Sequence, residues 1–230
     1  MSDFSQLQAT IGCQFKNLNL LTQALVHRSY INEHPEFSLG HNERLEFLGD
    51  AVLEIIVTEY LYHHFPGQPE GVLTDWRAAL VNAKMLAQIA AEINLEPDIL
   101  LSRGEAKDAN SKARQYILAN AVEALIGALY LDQGKLATKK FINRYIISKL
   151  DFILSNELYL DPKSRFQEKA QEVCGITPHY EILEESGPDH DKLFAVGLFI
   201  KEELIAKGRG SSKHEAQVAA AQIGLELKGW

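Results

Sequence analysis

Residues 42–53 read NERLEFLGDAVL, and the rest of the sequence is organised around them. Within and just after this stretch, four acids recur at three- or four-residue spacing among mostly apolar residues: Glu43, Glu46, Asp50 and Glu54. This spacing predicts a helix with several carboxylates along one side, where they repel each other. Between Glu43 and Arg77 the only strong cation is Arg44, and it belongs to a different face of the helix. A hard divalent cation such as Mg²⁺ is a natural partner for these carboxylates. The spacing alone leaves an acidic face turned to solvent as the alternative.

The run ERLEFLGDA at residues 43–51 closely resembles the signature of the ribonuclease III endonucleases, and it matches the usual ERLEFLGD pattern residue for residue. Further resemblance at residues 117–132 and in the C-terminal part extends the similarity over nearly the whole chain. The resemblance favours a metal site over a solvated acidic face. It also implies an all-α endonuclease domain.

A second informative stretch, ILANAVEALIGALYLD at residues 117–132, places Glu123 inside an apolar run. A buried carboxylate is costly unless it finds a partner or a metal ion. Asn120, one helical turn upstream, can offer its amide oxygen to the same point. The resemblance implies that Glu46, Asp50, Asn120 and Glu123 bind the metal. Many relatives carry Asp where Asn120 stands, so this set has three negative charges instead of four, and we expect weaker metal affinity.

The resemblance also implies catalytic roles for four acids. Asp50 and Glu123 are expected to act in cleavage itself. Glu43 opens the signature, and Glu70 lies in the FPGQPEG turn; relatives carry acids at both positions that are implicated in organising the cleavage site or metal. For Glu70, an acid that stabilises the start of a helix through the macrodipole is the alternative.

Composition limits the class of protein. A chain of 230 residues with 46% hydrophobic residues can build one or two compact cores. Cys13 and Cys174 are far apart and form no CxxC pair, so neither a disulfide framework nor a thiolate zinc site is expected. The N-terminus has no basic segment followed by an apolar one, and the apolar runs are too short to span a membrane. We expect a cytoplasmic protein with no membrane contact.

The net charge of −8 argues against binding to nucleic acid through bulk electrostatics. From Asp161 onward there are nine Lys and Arg residues against twelve Asp and Glu residues. Any contact with RNA must therefore depend on where individual cations lie.

Periodicity predicts helices throughout the first part of the chain, so residues 1–156 are expected to form the all-α endonuclease domain. A first helix should begin near Asn17 or Asn19, either of which can cap it. Residues 31–41 and 103–112 are expected to be loops. The signature helix should end at about His64, before Pro66. Further helices are predicted at residues 72–94, 114–131 and 136–156.

Residues 157–162 are expected to be a short linker, after which the hydrophobic period changes. Residues 164–174 and 212–228 favour helices, and residues 180–185, 192–200 and 204–208 favour strands. This αβββα order resembles the double-stranded-RNA-binding domain. The predicted architecture is thus an all-α domain followed by a small α+β domain at residues 163–230.

Three motifs carry the second resemblance. The family positions that contact RNA correspond here to Gln167 and Glu168 in PKSRFQEKAQ, to Pro188 and His190 in the loop GPDH, and to Gly208, Gly210, Ser212, Lys213 and His214 in GRGSSKHEAQVAAA. A glycine-bounded helix start offers free amides and a positive dipole to phosphate, and Lys213 adds charge. Where the family usually has a second lysine, His214 is mostly neutral at pH 7, so phosphate binding should be weaker and should tighten as the pH falls.

The resemblance implies a homodimeric, double-strand-specific endoribonuclease that uses Mg²⁺, with Mn²⁺ as a substitute, and binds double-stranded RNA. The expected products carry 5′ phosphate and 3′ hydroxyl ends with a 3′ overhang, and the expected substrates are ribosomal RNA precursors and messenger RNAs. The alternative is a double-stranded-RNA-binding regulator in which Asn120 has weakened catalysis. A metal protein acting on small molecules is disfavoured by the C-terminal RNA-binding motifs.

Overall fold

Helix α4 (Glu43–His64) contains the acidic stretch, and it packs chiefly against the long helix α8 (Lys112–Tyr145). The computed structural model describes residues 4–107, 111–188 and 192–230. Its contacts divide the chain into two units, Met1–Tyr159 and Leu160–Trp230. The α4–α8 pair lies in the first unit, where both helices contribute to one continuous apolar core.

The first unit is helical, as the sequence predicts. Its other helices are α1 (Ser5–Ile11), α2 (Leu18–Ala24), α3 (Arg28–Glu33), α5 (Glu70–Val81), α6 (Ala83–Glu92), α7 (Arg103–Lys107) and α9 (Leu150–Ser155), with 3₁₀ turns at Glu96–Asp98 and Ile147–Lys149. In the described part of this unit, β-type pairing is confined to an isolated parallel bridge between Val26 and Leu100. No helix in the described ranges is long and apolar enough to cross a membrane.

The beginning of the unit differs from the prediction. Asn17 does cap α2, since its side chain accepts a hydrogen bond from Asn19 N at 3.1 Å. The prediction that this is the first helix was wrong, because α1 precedes it and buries Leu7 and Ile11 in the core. Gly12, with a φ of 69°, ends α1 in the left-handed conformation.

Other boundaries also differ from the prediction. The single helix predicted at residues 72–94 is two helices, because Asn82 is extended and its side chain caps α6 by accepting from Met85 N at 2.9 Å. The first residues of the loop predicted at residues 31–41 belong to the end of α3. The first five residues of the loop predicted at residues 103–112 form α7. The kink of α8 at Gly134, where φ is 76°, falls between the helices predicted at residues 114–131 and 136–156, whereas the second of these is interrupted by the 3₁₀ turn Ile147–Lys149 before α9.

The second unit has the predicted αβββα order. Helix α10 (Pro162–Cys174) is followed by β1 (His179–Ser186), β2 (Leu193–Ile200), β3 (Glu203–Gly210) and α11 (Lys213–Lys228). The strands form an antiparallel sheet in the order β1-β2-β3. Phe166 of α10, Leu198 of β2 and Ala220 of α11 are fully buried together in its core. One helix from each end of this unit therefore packs on the same sheet.

Candidate active site and RNA-binding surface

The two helices that carry the predicted metal ligands approach each other through glycines. A Cβ atom added to Gly49 of α4 would lie 1.7 Å from the Glu123 carbonyl oxygen of α8. A Cβ added to Gly127 would lie 2.2 Å from the Leu45 carbonyl oxygen. Any side chain at either position would force the helices apart, so this crossing sets how closely the acids of α4 approach those of α8.

The acids of the two helices interact electrostatically. Burial, and then the charges of Asp50, Glu46 and Glu54, raise the pKa of Glu123 to about 7. Burial, and then Glu43 and Asp50, also raise the pKa of Glu46, while the Asn120 amide beside it partly offsets the rise. These mutual effects show that the crossing brings Glu46, Asp50, Asn120 and Glu123 together.

The donor chemistry of this cluster fits a hard cation, because it consists of carboxylate and amide oxygens. Within the described residues, Glu46, Asp50 and Glu123 form no ion pair with Lys, Arg or His, so no protein cation neutralises their repulsion. Across residues 4–107, 111–188 and 192–230, no three His, Cys, Asp or Glu side chains stand close enough to hold a metal ion. The described ranges therefore show no preassembled three-acid site.

Glu43 lies at the edge of this cluster and is paired. Its carboxylate is 3.5 Å from Arg28 Nη1 and 3.8 Å from His41 Nδ1. His41 Nδ1 is buried and has no hydrogen-bond partner in the described part of the chain. No sequence pattern points to Arg28 or His41, because their approach to Glu43 depends on tertiary packing. Glu54 lies outside the predicted ligand set, although its charge contributes to the raised pKa of Glu123.

Glu70 is placed elsewhere. It is the first residue of α5, and its Oε1 accepts a hydrogen bond from Thr74 Oγ1 at 3.3 Å. It lines a cleft of about 600 Å³ with residues that include Tyr62 and Arg77, and none of the clustered acids of α4 and α8 lines this cleft. Within one chain, the structure does not bring Glu70 to Glu123.

In the second unit, the predicted RNA-contacting side chains are mostly exposed. Gln167 and Glu168 lie on the open face of α10, and Pro188 is exposed in the loop after β1. His190 lies outside the described residues. The N-terminus of α10 is capped by Asp161, which accepts from Lys163 N at 3.0 Å and from Ser164 N at 3.1 Å.

The third motif, residues 208–214, contains glycines that pack against α11 and, after them, exposed residues that are open to a ligand. Gly208 is buried, and a Cβ added there would lie 2.2 Å from Ala220 N; one added to Gly210 would lie 2.6 Å from Ala216 N. These glycines let β3 approach α11, so they have a packing role in addition to the RNA contact that the resemblance predicts. The exposed positions of the motif are Ser212, Lys213 and His214.

The start of α11 already has hydrogen-bond partners of its own. Ser212 Oγ accepts from Glu215 N at 3.2 Å, and the Glu215 carboxylate accepts from Ser211 N at 3.1 Å. Lys213 Nζ lies over the Phe194 ring, 5.7 Å from its centroid. A phosphate bound at this helix start would therefore lie near both the Lys213 ammonium group and the Glu215 carboxylate.

Comparison with known proteins supports both resemblances. A family model described as Ribonuclease-III-like matches residues 17–150, and one described as Double-stranded RNA binding motif matches residues 162–228. Ribonuclease 3 of Carboxydothermus hydrogenoformans is 46% identical over 221 residues, covering 96% of this chain and 94% of its own length. Ribonuclease 3 of Enterococcus faecalis is 44% identical over 223 residues and covers 96% of each chain.

The chain belongs to the ribonuclease III family. The enzyme class predicted from the sequence, a double-strand-specific endoribonuclease, is confirmed together with the two-part fold. Among solved structures, the nuclease domain of ribonuclease III from Campylobacter jejuni is 42% identical with a TM-score of 0.58, and the match covers 65% of this chain and 97% of that one.

Proposed function

We propose that this chain hydrolyses phosphodiester bonds of double-stranded RNA in a Mg²⁺-dependent reaction, for which Mn²⁺ can substitute. The products carry 5′ phosphate and 3′ hydroxyl ends with a 3′ overhang. The observation that carries the proposal is the set of unpaired, mutually repelling carboxylates at the Gly49–Gly127 crossing. Family membership supplies the RNA substrate for this site.

Glu46, Asp50, Asn120 and Glu123 are the residues we assign to metal binding. These residues would hold a Mg²⁺ ion, which would supply Lewis acidity for the activation of water and for the charge on the scissile phosphate. Glu123, whose pKa is about 7, releases its proton when its carboxylate is paired with a cation. Metal affinity should therefore rise as the pH increases through 7.

Calorimetric titration with Mg²⁺ and Mn²⁺ tests the assignment independently of catalysis. We expect wild-type protein to bind either ion more tightly at pH 8 than at pH 6, and Glu123→Gln to lose most of that dependence. Unchanged binding in Glu123→Gln and Asp50→Asn would contradict the proposed ligand set. Duplex cleavage assayed on the same samples connects metal binding to activity.

The active form we propose is a homodimer in which each endonuclease domain cuts one strand. Its support is an apolar stripe on α4, where Phe47, Ile55 and Tyr62 are 82%, 58% and 68% exposed. A patch of large apolar side chains on one helix marks a protein interface. A structure of the related Campylobacter jejuni nuclease domain is described as flexible in a region involved in dimer formation.

Analytical ultracentrifugation tests the dimer. Phe47→Asp should shift the protein to monomer, whereas Phe152→Asp, at a 62% exposed position on α9, serves as the matched control. Equal dimer content in both variants would rule out the α4 stripe as the interface.

The second unit would hold the duplex by its A-form shape and 2′-hydroxyl groups. We assign this contact to Gln167, Glu168, Pro188, His190, Ser212, Lys213 and His214. The expected cellular substrates are ribosomal RNA precursors and structured messenger RNAs in a bacterial cytoplasm. Binding that differs strongly among perfect duplexes of unrelated sequence would contradict recognition by shape.

A further inference from the structure

Arg28 is the arginine that lies against the edge of the acid cluster. Its Nη1 is 3.5 Å from Glu43 Oε1, and its side chain remains 70% exposed. Burial, and next the Glu43 carboxylate, raise the pKa of Glu46, so Glu43 and its arginine lie next to the proposed metal ligands. An exposed ion pair of this kind contributes little stability. The guanidinium can therefore exchange Glu43 for another oxygen acceptor at low cost.

The backbone around Arg28 is fixed on one side by the segment before α7. His27 N donates to Leu100 O at 3.0 Å, and Ser102 N donates to Ser29 Oγ at 3.0 Å. The His27 ring reinforces this arrangement, with Nδ1 2.8 Å from Ser29 Oγ. Both neighbours of Arg28 in the chain are thus held in place.

The same segment is fixed on its other side by the residue that precedes α4. Asn42, which is 3% exposed, donates from its backbone N to Val26 O at 2.9 Å and from Nδ2 to Ala24 O at 3.2 Å. Glu43 follows directly. The base of Arg28 and the base of Glu43 are therefore tied together, while the guanidinium stays open to solvent. A cation anchored in this way loses little conformational freedom when it binds a ligand.

The cluster of acids is strongly negative, so a phosphate backbone that approaches it would be stabilised by a nearby cation. Glu43, Glu46, Asp50, Glu54 and Glu123 would all repel an approaching phosphate backbone. A guanidinium matches the oxygen geometry of phosphate and binds it more strongly than a neutral donor does. We propose that Arg28 binds a backbone phosphate of double-stranded RNA beside the acid cluster, giving up Glu43 as it does so. This inference rests on the proposed function and adds a substrate-binding residue to it.

The test measures binding of the full-length protein to a perfect RNA duplex, with Ca²⁺ in place of Mg²⁺ to prevent cleavage. Arg28→Ala should weaken binding roughly fivefold to tenfold near 0.1 M salt and reduce the slope of log K against log salt by about one. Arg28→Lys should keep most of the slope. Lys149→Ala is the matched control, because Lys149 pairs with Glu92 at 2.5 Å and its loss removes the same charge and one surface ion pair. It should bind as wild type does.

Arg28 could promote RNA binding by contacting phosphate or only by neutralising Glu43, and a double-mutant cycle with Arg28→Ala and Glu43→Gln distinguishes these two effects. If Arg28 contacts phosphate, Arg28→Ala should weaken binding at least as much in the Glu43→Gln background, where no ion pair has to be broken, as in wild type. An effect that disappears in Glu43→Gln would overturn the inference, as would an Arg28→Ala variant that binds like Lys149→Ala while the wild type cleaves duplex RNA. A wild-type protein that does not bind duplex RNA would overturn the proposed function and this inference together.

Discussion

Replacing Glu123 with Gln should stabilise the protein at pH 8 when EDTA removes divalent ions. Burial and the charges of Asp50, Glu46 and Glu54 raise the pKa of Glu123 from an ordinary 4.5 to about 7. Between these values the folded chain holds the proton more tightly than the unfolded chain. Above pH 7, ionisation of Glu123 therefore lowers the free energy of unfolding by its full amount. This loss of stability disappears as the pH falls from 7 towards 4.5.

The size of the effect follows from the same values. The difference in pKa corresponds to roughly 3 kcal/mol in the free energy of unfolding. Because the Glu123 carboxyl is only partly enclosed, screening by solvent reduces this to about 1 to 2 kcal/mol. Glutamine keeps the shape of the side chain and removes the charge, so most of that amount should appear as a gain in stability at pH 8.

Urea unfolding measures the increase in the free energy of unfolding of Glu123→Gln over the wild type. A Trp230→Phe background leaves Trp76, in the first unit, as the only tryptophan, so fluorescence follows that unit. Asp151→Asn, which changes an exposed carboxylate on α9, is the matched control and should alter stability by less than about 0.5 kcal/mol. A gain that persists unchanged at pH 5, or a loss of stability at pH 8, would refute the electrostatic reasoning.

Three further perturbations probe the metal set, the helix crossing and the RNA-binding unit. Asn120→Asp adds a fourth negative charge, so the Mg²⁺ concentration for half-maximal cleavage should fall; a higher requirement would contradict the ligand role of this residue. Gly49→Ala places a Cβ 1.7 Å from a backbone oxygen and should destabilise the first unit by about 2 kcal/mol or more in urea unfolding, unlike Gly67→Ala, where nothing lies within 4 Å. Lys213→Ala should weaken binding to all duplexes alike and lower the salt slope by about one, as measured by fluorescence anisotropy; a sequence-selective effect would argue against phosphate contact.

Hydrophobic periodicity and helix-ending residues in the sequence correctly predicted the acidic helix and the order of elements in the second unit. The acidic helix runs over Glu43–His64 as predicted, because its apolar period is unbroken until the residues before Pro66 and Gly67. The αβββα order follows from a change of period after residue 162. These features depend on neighbours in sequence, so propensity and periodicity are sufficient to predict them.

Other features depend on contacts between distant residues. The break at Asn82 was missed because the apolar stripe continues across it, and only the cap to Met85 N reveals the new helix. The metal ligands were grouped by resemblance, but the reason that they meet is the close approach of Gly49 to Glu123. The pairing of Arg28 with Glu43 likewise requires the two helix starts to be tied together through Asn42.

Mg²⁺-dependent endonuclease activity is measured directly as cleavage of a long, perfect RNA duplex by the wild-type protein across a Mg²⁺ titration. Matched single-stranded RNA and the Glu123→Ala variant are the controls. We expect the wild type to make staggered cuts in the duplex alone, and we expect Glu123→Ala to lose cleavage while duplex binding in Ca²⁺ stays nearly intact. Duplex binding by the wild type without cutting at any Mg²⁺ or Mn²⁺ concentration would contradict this expectation.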